Sequence, residues 1–168
     1  MKIGITGTTS GIGKSLYYKF NNTVNFDRVH GSLDDLDLVY EKFSDCDIFI
    51  NNAYDGDTQI KLLKFFYNQW KGKNKKIISI GSSVCSFRPS GTGYEEYVFD
   101  KRALRQAHID ICNSKDHCKS ILINPGPTDT KLIADRKVKK LSTEQVYNII
   151  KFVIESDVYI PEVYLYAK

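Results

Sequence analysis

Apolar positions along this chain recur with two different periods. Residues 2–6 are a short run rich in β-branched side chains and predict a strand. A turn with glycines at 7, 11 and 13 follows, and then Leu16, Tyr17 and Phe20 fall at helical spacing. A brief strand is predicted over 23–28. Beyond His30-Gly31-Ser32, the side chains of Leu33, Leu36, Val39 and Phe43 form one face of a helix over 33–43, with Asp34 and Asp35 near the positive end of its dipole. The alternation continues with a strand over 47–51, a helix over 59–70, a strand over 76–80, a helix from about 94 to 112, a strand over 120–124, a helix over 143–155 and a strand over 163–166. Ser142 and Thr143 are the candidate caps of the last helix. Strands that are almost unbroken apolar runs, alternating with helices, predict an α/β fold. Its sheet is parallel and doubly wound, with six or seven strands and helices on both faces.

Composition narrows this further. The 168 residues are enough for one domain with a real core and too few for two, so residues 1–168 are expected to form a single domain. A hydrophobic content of 42% with 26% charged residues excludes a disordered or collagen-like chain. No apolar run approaches the length of a membrane span, and the N-terminus has no long apolar stretch or cleavage site, so a cytoplasmic setting is expected. Cys46, Cys85, Cys112 and Cys118 are far apart and have no histidine pair nearby, which argues against a metal site and for buried or free thiols. The net charge of +4 is mild, and no basic motif is interleaved with aromatic residues, so no nucleic-acid partner is expected.

Three places carry candidate chemistry. Gly7-Thr8-Thr9-Ser10-Gly11-Ile12-Gly13 sits between the first strand and the first helix, where glycines let backbone amides and a helix N-terminus approach a phosphate; the plainer reading is an ordinary turn. Tyr97 and Lys101 are four residues apart, so their polar ends share a helix face. Bringing a tyrosine from pKa 10 to neutrality costs roughly 4 kcal/mol, which a neighbouring ammonium and a cationic cofactor ring can supply. Tyr97 is also one of 11 tyrosines, and packing above a surface lysine is the plainer reading. Ser82, with Ser83 as its competitor, follows the 76–80 strand at the sheet edge where doubly wound proteins place ligands.

Thr6 with this glycine spacing, Asn51-Asn52-Ala53, Tyr97 with Lys101, and Asn124-Pro125-Gly126-Pro127-Thr128-Asp129-Thr130 occur in one order from end to end of the chain. In this it resembles the short-chain dehydrogenase/reductase family. The resemblance implies a Rossmann-like, NAD(P)-binding oxidoreductase acting on a carbonyl/alcohol pair. Tyr97 is then the general acid/base, Ser82 orients the substrate oxygen, and Lys101 holds the cofactor ribose and lowers the Tyr97 pKa. Cofactor contacts are implied for Gly7, Thr9, Ser10, Gly11, Ile12, Gly13, Asn51, Asn52, Ala53, Lys101, Pro125, Gly126, Thr128 and Thr130. Asp27 would accept ribose hydroxyls and favours NAD, whereas Arg28 would pair the extra phosphate of NADP. The balance is toward NAD. The relatives' habit of pairing implies a homodimer, for which Phe65, Phe66, Trp70, Tyr94 and Phe99 offer aromatic surface or, equally, core.

The chain also departs from the family pattern. Only His30-Gly31-Ser32 separates Val29 from Leu33, so a helix of the family is expected to be missing there. Ser32 stands where the family has an adenine-binding Asp, and Tyr54 where Asn-Asn-Ala continues to Gly. The helix Asn that completes the family's catalytic tetrad has no clear counterpart in the compact run 55–76; its proton relay is either lost or replaced, with Gln59 the candidate replacement. The segment after Thr130 is short, which predicts an open cleft. Lys131, Lys137, Lys139 and Lys140 would favour an anionic substrate if they face that cleft, and otherwise form a solvated loop. The alternative function is a non-catalytic NAD(P)-binding sensor or interaction protein. A nucleotide-sugar reductase or epimerase ranks lower, because the chain has no room for a substrate domain.

Overall fold

The computed structural model describes residues 1–86 and 94–168. Six strands form one parallel sheet: β1 (Ile3–Thr6), β2 (Thr23–Phe26), β3 (Ile48–Asn51), β4 (Lys76–Ile80), β5 (Lys119–Pro125) and β6 (Glu162–Leu165), in the order β2-β1-β3-β4-β5-β6. They are joined by α1 (Gly11–Lys19), α2 (Leu36–Phe43), α3 (Thr58–Trp70), α4 (Glu95–Asn113) and α5 (Thr143–Glu155).

Successive strand residues point to opposite faces, and each face has its own core. Phe49, Ile77 and Leu122 pack with side chains of α2, α3 and α4. Their neighbours Ile48, Ile50, Ile78, Ile121 and Ile123 pack with α1 and α5. The first face is aromatic, with the Phe49 and Phe66 rings stacked at 4.0 Å. Strands buried on both sides must be apolar throughout, which explains the unbroken runs read from the sequence.

The sequence expectation needs correction at the start of the second helix. The helix expected from residue 33 begins at Leu36, because Asp35 caps it: its carboxylate accepts the Leu38 amide hydrogen at 3.1 Å. Leu33 therefore packs on the core from the turn before the helix. Of the aromatic residues considered for a dimer surface, Phe66 and Trp70 are fully buried core, whereas Tyr94 and Phe99 are 47% and 71% exposed. Ser142 is the cap of α5, in a reciprocal capping box with Gln145.

The order of strands places the fold's crevice. The chain moves outward from β1 to β2, then returns to the other side of β1 with β3, so the carboxyl ends of β1 and β3 diverge at a topological switch point. Gly7 and Asn52 follow directly at those ends. Further along the same edge, Ser82 follows β4 and Gly126 follows β5. The segment after β5 is closed at its base, since Asp129 N–H donates to Leu141 O and Leu141 N–H to Pro127 O, both at 2.7 Å. Among the described residues no helix is long and apolar enough to cross a membrane, and no group of three His, Cys, Asp or Glu side chains is arranged to hold a metal. All four cysteines are free thiols.

Candidate active site

The glycine turn is built by constraint. Gly7 and Gly11 have φ of +73° and +57°, a region that costs other residues about 1 kcal/mol or more. Gly13 is required for another reason: a Cβ there would lie 2.1 Å from the Gly7 carbonyl oxygen and 2.4 Å from Asn52 Nδ2. Only a bare backbone lets α1 dock this closely. Asn52 reinforces the turn by donating from Nδ2 to the Thr6 and Gly7 carbonyls at 2.9 and 3.1 Å. Thr6 Oγ1 in turn accepts the amide hydrogens of Asn52 and Ala53 at 3.0 and 3.1 Å. The ends of β1 and β3 are thereby one hydrogen-bonded unit.

Ser10 is the N-cap of α1, but its side chain caps no amide. The first amides of α1 lack intrahelical partners by geometry, and here no side-chain oxygen from the cap takes their place. Exposed Thr9 and Ser10 flank this end, and the Thr130 side chain approaches Gly11 from the loop after β5. A backbone cradle at a switch point, with free helix amides, fits a dinucleotide pyrophosphate. Ile12 packs partly into the core, and Asn51 is fully buried, its Nδ2 donating to the Gln59 carbonyl at 2.7 Å. Both side chains are behind the cradle rather than on its surface.

Asp27 lies just beyond β2 with its carboxylate already engaged. It accepts from Thr8 N–H at 2.5 Å, Thr8 Oγ1–H at 2.6 Å and Asn25 Nδ2–H at 2.8 Å. Burial alone would raise its pKa, but these donors outweigh that effect and hold the carboxyl below the usual range. Nothing in the local sequence announces Thr8 as the partner, which is 19 residues away. Arg28 is exposed.

On the other side of the crevice, Tyr97 in the first turn of α4 is hydrogen-bonded to the Ser82 hydroxyl. Ser82 is buried and fixed from behind: its N–H donates to Asn124 Oδ1 at 3.2 Å, and its Oγ accepts from Val84 N–H at 3.4 Å. Asn124 is anchored to Glu162 at 2.8 Å, and Glu162 pairs with Arg105. Gly81 makes room for this arrangement, because a Cβ there would be 2.2 Å from Asn124 Oδ1.

Lys101 is 4% exposed and does not reach into the open cleft. Its ammonium donates to Gln59 Oε1 at 2.5 Å and to the Ile80 carbonyl at 2.9 Å, and sits 5.2 and 5.4 Å from the ring centroids of Tyr54 and Tyr97. The Tyr54 ring packs edge-on against Tyr97 at 5.0 Å, and its hydroxyl donates to buried Asp100 at 2.9 Å. Burial pushes the Lys101 pKa down to about 7, with Asp100 and Cys85 opposing. The Tyr97 pKa lies above the ordinary tyrosine value. Burial raises it and Cys85 adds to this, while the Ser82 hydrogen bond and the Arg136 charge recover only part.

Pro125 and Gly126 are buried at the end of β5, Thr128 Oγ1 donates to the Gly126 carbonyl at 3.0 Å, and the Arg136 guanidinium stacks 4.5 Å above the Tyr94 ring. One helical turn separates Tyr94 from Tyr97, so this cation stands at the mouth of the Tyr97 site.

Solved structures share this arrangement of strands and helices along their whole length. A serine dehydrogenase complexed with NADP+ superposes with a TM-score of 0.79 at 16% identity, over 98% of this chain and 94% of that one. An alcohol dehydrogenase from the archaeon Thermococcus sibiricus, complexed with 5-hydroxy-NADP, gives 0.77 at 17% identity, over 98% and 96%. The fold is that of the short-chain dehydrogenases and reductases. A 3-alpha-hydroxysteroid dehydrogenase from Pseudomonas sp. B-0831, complexed with NADH, gives 0.73 at 14% identity, over 98% and 95%. No family model matches the sequence, and neither does any curated protein. The likeness to these short-chain enzymes is therefore one of backbone, and the chemistry rests on the side chains described above.

Proposed function

We propose that this chain is an NAD(P)-dependent oxidoreductase of the short-chain type, a single cofactor-binding domain acting on a carbonyl/alcohol pair. One observation carries this reading. The Tyr97 phenol is hydrogen-bonded to Ser82, with Lys101 one turn further on, at the same sheet edge as a glycine cradle open to a pyrophosphate. Gly7, Gly11, Gly13 and the first amides of α1 would hold the diphosphate, Asp27 the adenine ribose, and Gly126, Thr128 and Thr130 the nicotinamide end. Bound nicotinamide supplies or accepts the hydride. Ser82 Oγ orients the substrate oxygen, and Tyr97 transfers its proton to that oxygen during reduction or takes it back during oxidation. The phenol, its pKa raised by burial, has a proton to give at neutral pH, as reduction requires. Acid–base assistance of this kind is worth about 10²–10⁴-fold.

The test begins with NADH and NADPH titrations read by nicotinamide fluorescence, since Trp70 is fully buried at the far end of α3. Turnover on a carbonyl panel follows, with Tyr97→Phe alongside. Micromolar binding and turnover that drops at least a hundredfold in Tyr97→Phe support the reading. Failure to bind either cofactor at millimolar concentration overturns it. The burial of Lys101 under Tyr54 favours one second reading, a nucleotide-binding module without chemistry. It is the outcome if cofactor binds tightly, no carbonyl is reduced, and Tyr97→Phe changes nothing.

A further inference from the structure

An ammonium has three N–H donors, and two of those on Lys101 are spent on Gln59 Oε1 and the Ile80 carbonyl. Gln59 is 2% exposed and has no freedom to turn. Its Nε2 donates to the Asn51 carbonyl at 2.8 Å and to the Ile80 carbonyl at 3.2 Å, while its own backbone carbonyl accepts from Asn51 Nδ2 at 2.7 Å. Flipping the amide would set its oxygen against two carbonyl oxygens and its NH2 against an ammonium. The surroundings therefore dictate that Oε1 faces Lys101. On the remaining side, among the described residues, the ammonium meets the rings of Tyr54 and Tyr97.

We propose that Gln59 is a positioning residue for the Tyr97–Lys101 pair: it fastens the lysine ammonium to the ends of β3 and β4 and aims its last N–H into the gap between Tyr54 and Tyr97. This rests on the catalytic reading of Tyr97 and Lys101 given above. Gln59 suits the position because it is a neutral acceptor that carries two donors of its own. Leucine offers no acceptor, asparagine is shorter by one methylene, about 1.5 Å, and glutamate adds a charge and loses both donors. The titratable groups around Lys101 are Asp100 on its own helix, Cys85 in the turn after β4, and Tyr54 and Tyr97.

The test compares wild type with Gln59→Leu and Gln59→Glu by two readouts. The first is the pH at which the Lys101 side chain titrates, followed by NMR of lysine-labelled protein with Lys101→Arg for assignment. The second is the pH profile of carbonyl reduction. A carboxylate at this distance favours the charged lysine, so Gln59→Glu should raise the Lys101 midpoint by at least one pH unit and move the lower inflection of activity with it. Gln59→Leu should lower kcat at least tenfold. A purely structural role would reduce thermal stability in both variants and leave the Lys101 midpoint unmoved, and that result overturns the proposal. If Gln59→Leu does not fold, the nearly isosteric Gln59→Glu decides alone. If the wild type neither binds cofactor nor turns over, the oxidoreductase reading fails, while the Lys101 midpoints still decide whether Gln59 positions the lysine.

Discussion

Replacing Gly13 by alanine gives a prediction in which the structure reverses the sign expected from sequence. In a helix interior, Gly→Ala normally stabilises by about 1 kcal/mol, through helix propensity and a less flexible unfolded chain. Here the new methyl would be 2.1 Å from the Gly7 carbonyl oxygen, which is backbone, and 2.4 Å from Asn52 Nδ2. Ordinary carbon–oxygen contacts begin near 3.3 Å, so α1 would have to retreat by about an ångström. Overpacking of this kind costs about 3 kcal/mol at its upper range. Displacing Asn52 also sacrifices its bonds to Thr6 and Gly7, about 1 kcal/mol more in net terms. After subtracting the propensity gain, Gly13→Ala should be destabilised by about 3 kcal/mol. Gly56→Ala is the control: φ is +54° there, but nothing lies within 4 Å, so backbone strain of about 1 kcal/mol is the whole effect. Urea unfolding followed by circular dichroism measures both. A Gly13→Ala protein as stable as wild type, or more so, would refute the tight docking of α1.

Other expectations follow from single contacts. Lys101 has a folded pKa of about 7 against 10.5 when unfolded, so between those values the unfolded chain binds the extra proton and stability must rise with pH. From pH 7 to 9.5 the contribution is on the order of 3 kcal/mol, and denaturation at both pH values should show a gain in wild type that Lys101→Met lacks. Asp27→Ala removes the carboxylate beside the glycine turn and should shift the ratio of NADH to NADPH affinity at least fivefold toward NADPH; an unchanged ratio in fluorescence titrations counts against the ribose assignment. Arg136→Ala should lower kcat/KM about tenfold for a carbonyl substrate bearing a carboxylate and leave its methyl ester unaffected, and equal losses on both would exclude a charge role.

The centre of the sheet was legible because β1, β3, β4 and β5 are buried on both sides and so leave apolar runs such as Ile48-Phe49-Ile50 that no surface element would carry. Local chemistry also marked the glycine turn and the Ser142 cap. The start of α2 was missed because Asp34 and Asp35 both suit a helix end, and only Asp35 has its carboxylate within reach of the Leu38 amide. The wiring of the site was the least legible part. Asp27 meets Thr8 across 19 residues, Lys101 meets Gln59 across 42, and Tyr54 meets Asp100 across 46. Such pairings depend on which strand ends become neighbours, and no periodicity records that. Motif order brought Ser82, Tyr97 and Lys101 to attention together, but only the geometry reveals a lysine turned toward Gln59.

The backbone pair between Pro127, Asp129 and Leu141 has an evolutionary consequence. Everything between those residues hangs from a closed base, so its length is decoupled from the sheet and from the docking of α5. Chain entropy makes each doubling of such a loop cost only about 0.6 kcal/mol. Extra residues inserted beyond Thr130 and Arg136, which touch the cradle and the Tyr97 neighbourhood, would extend the loop at the cleft without disturbing the sheet. The position is therefore a natural graft point, where selectivity for bulkier or differently charged molecules can be gained or shed while the rest of the scaffold stays as it is.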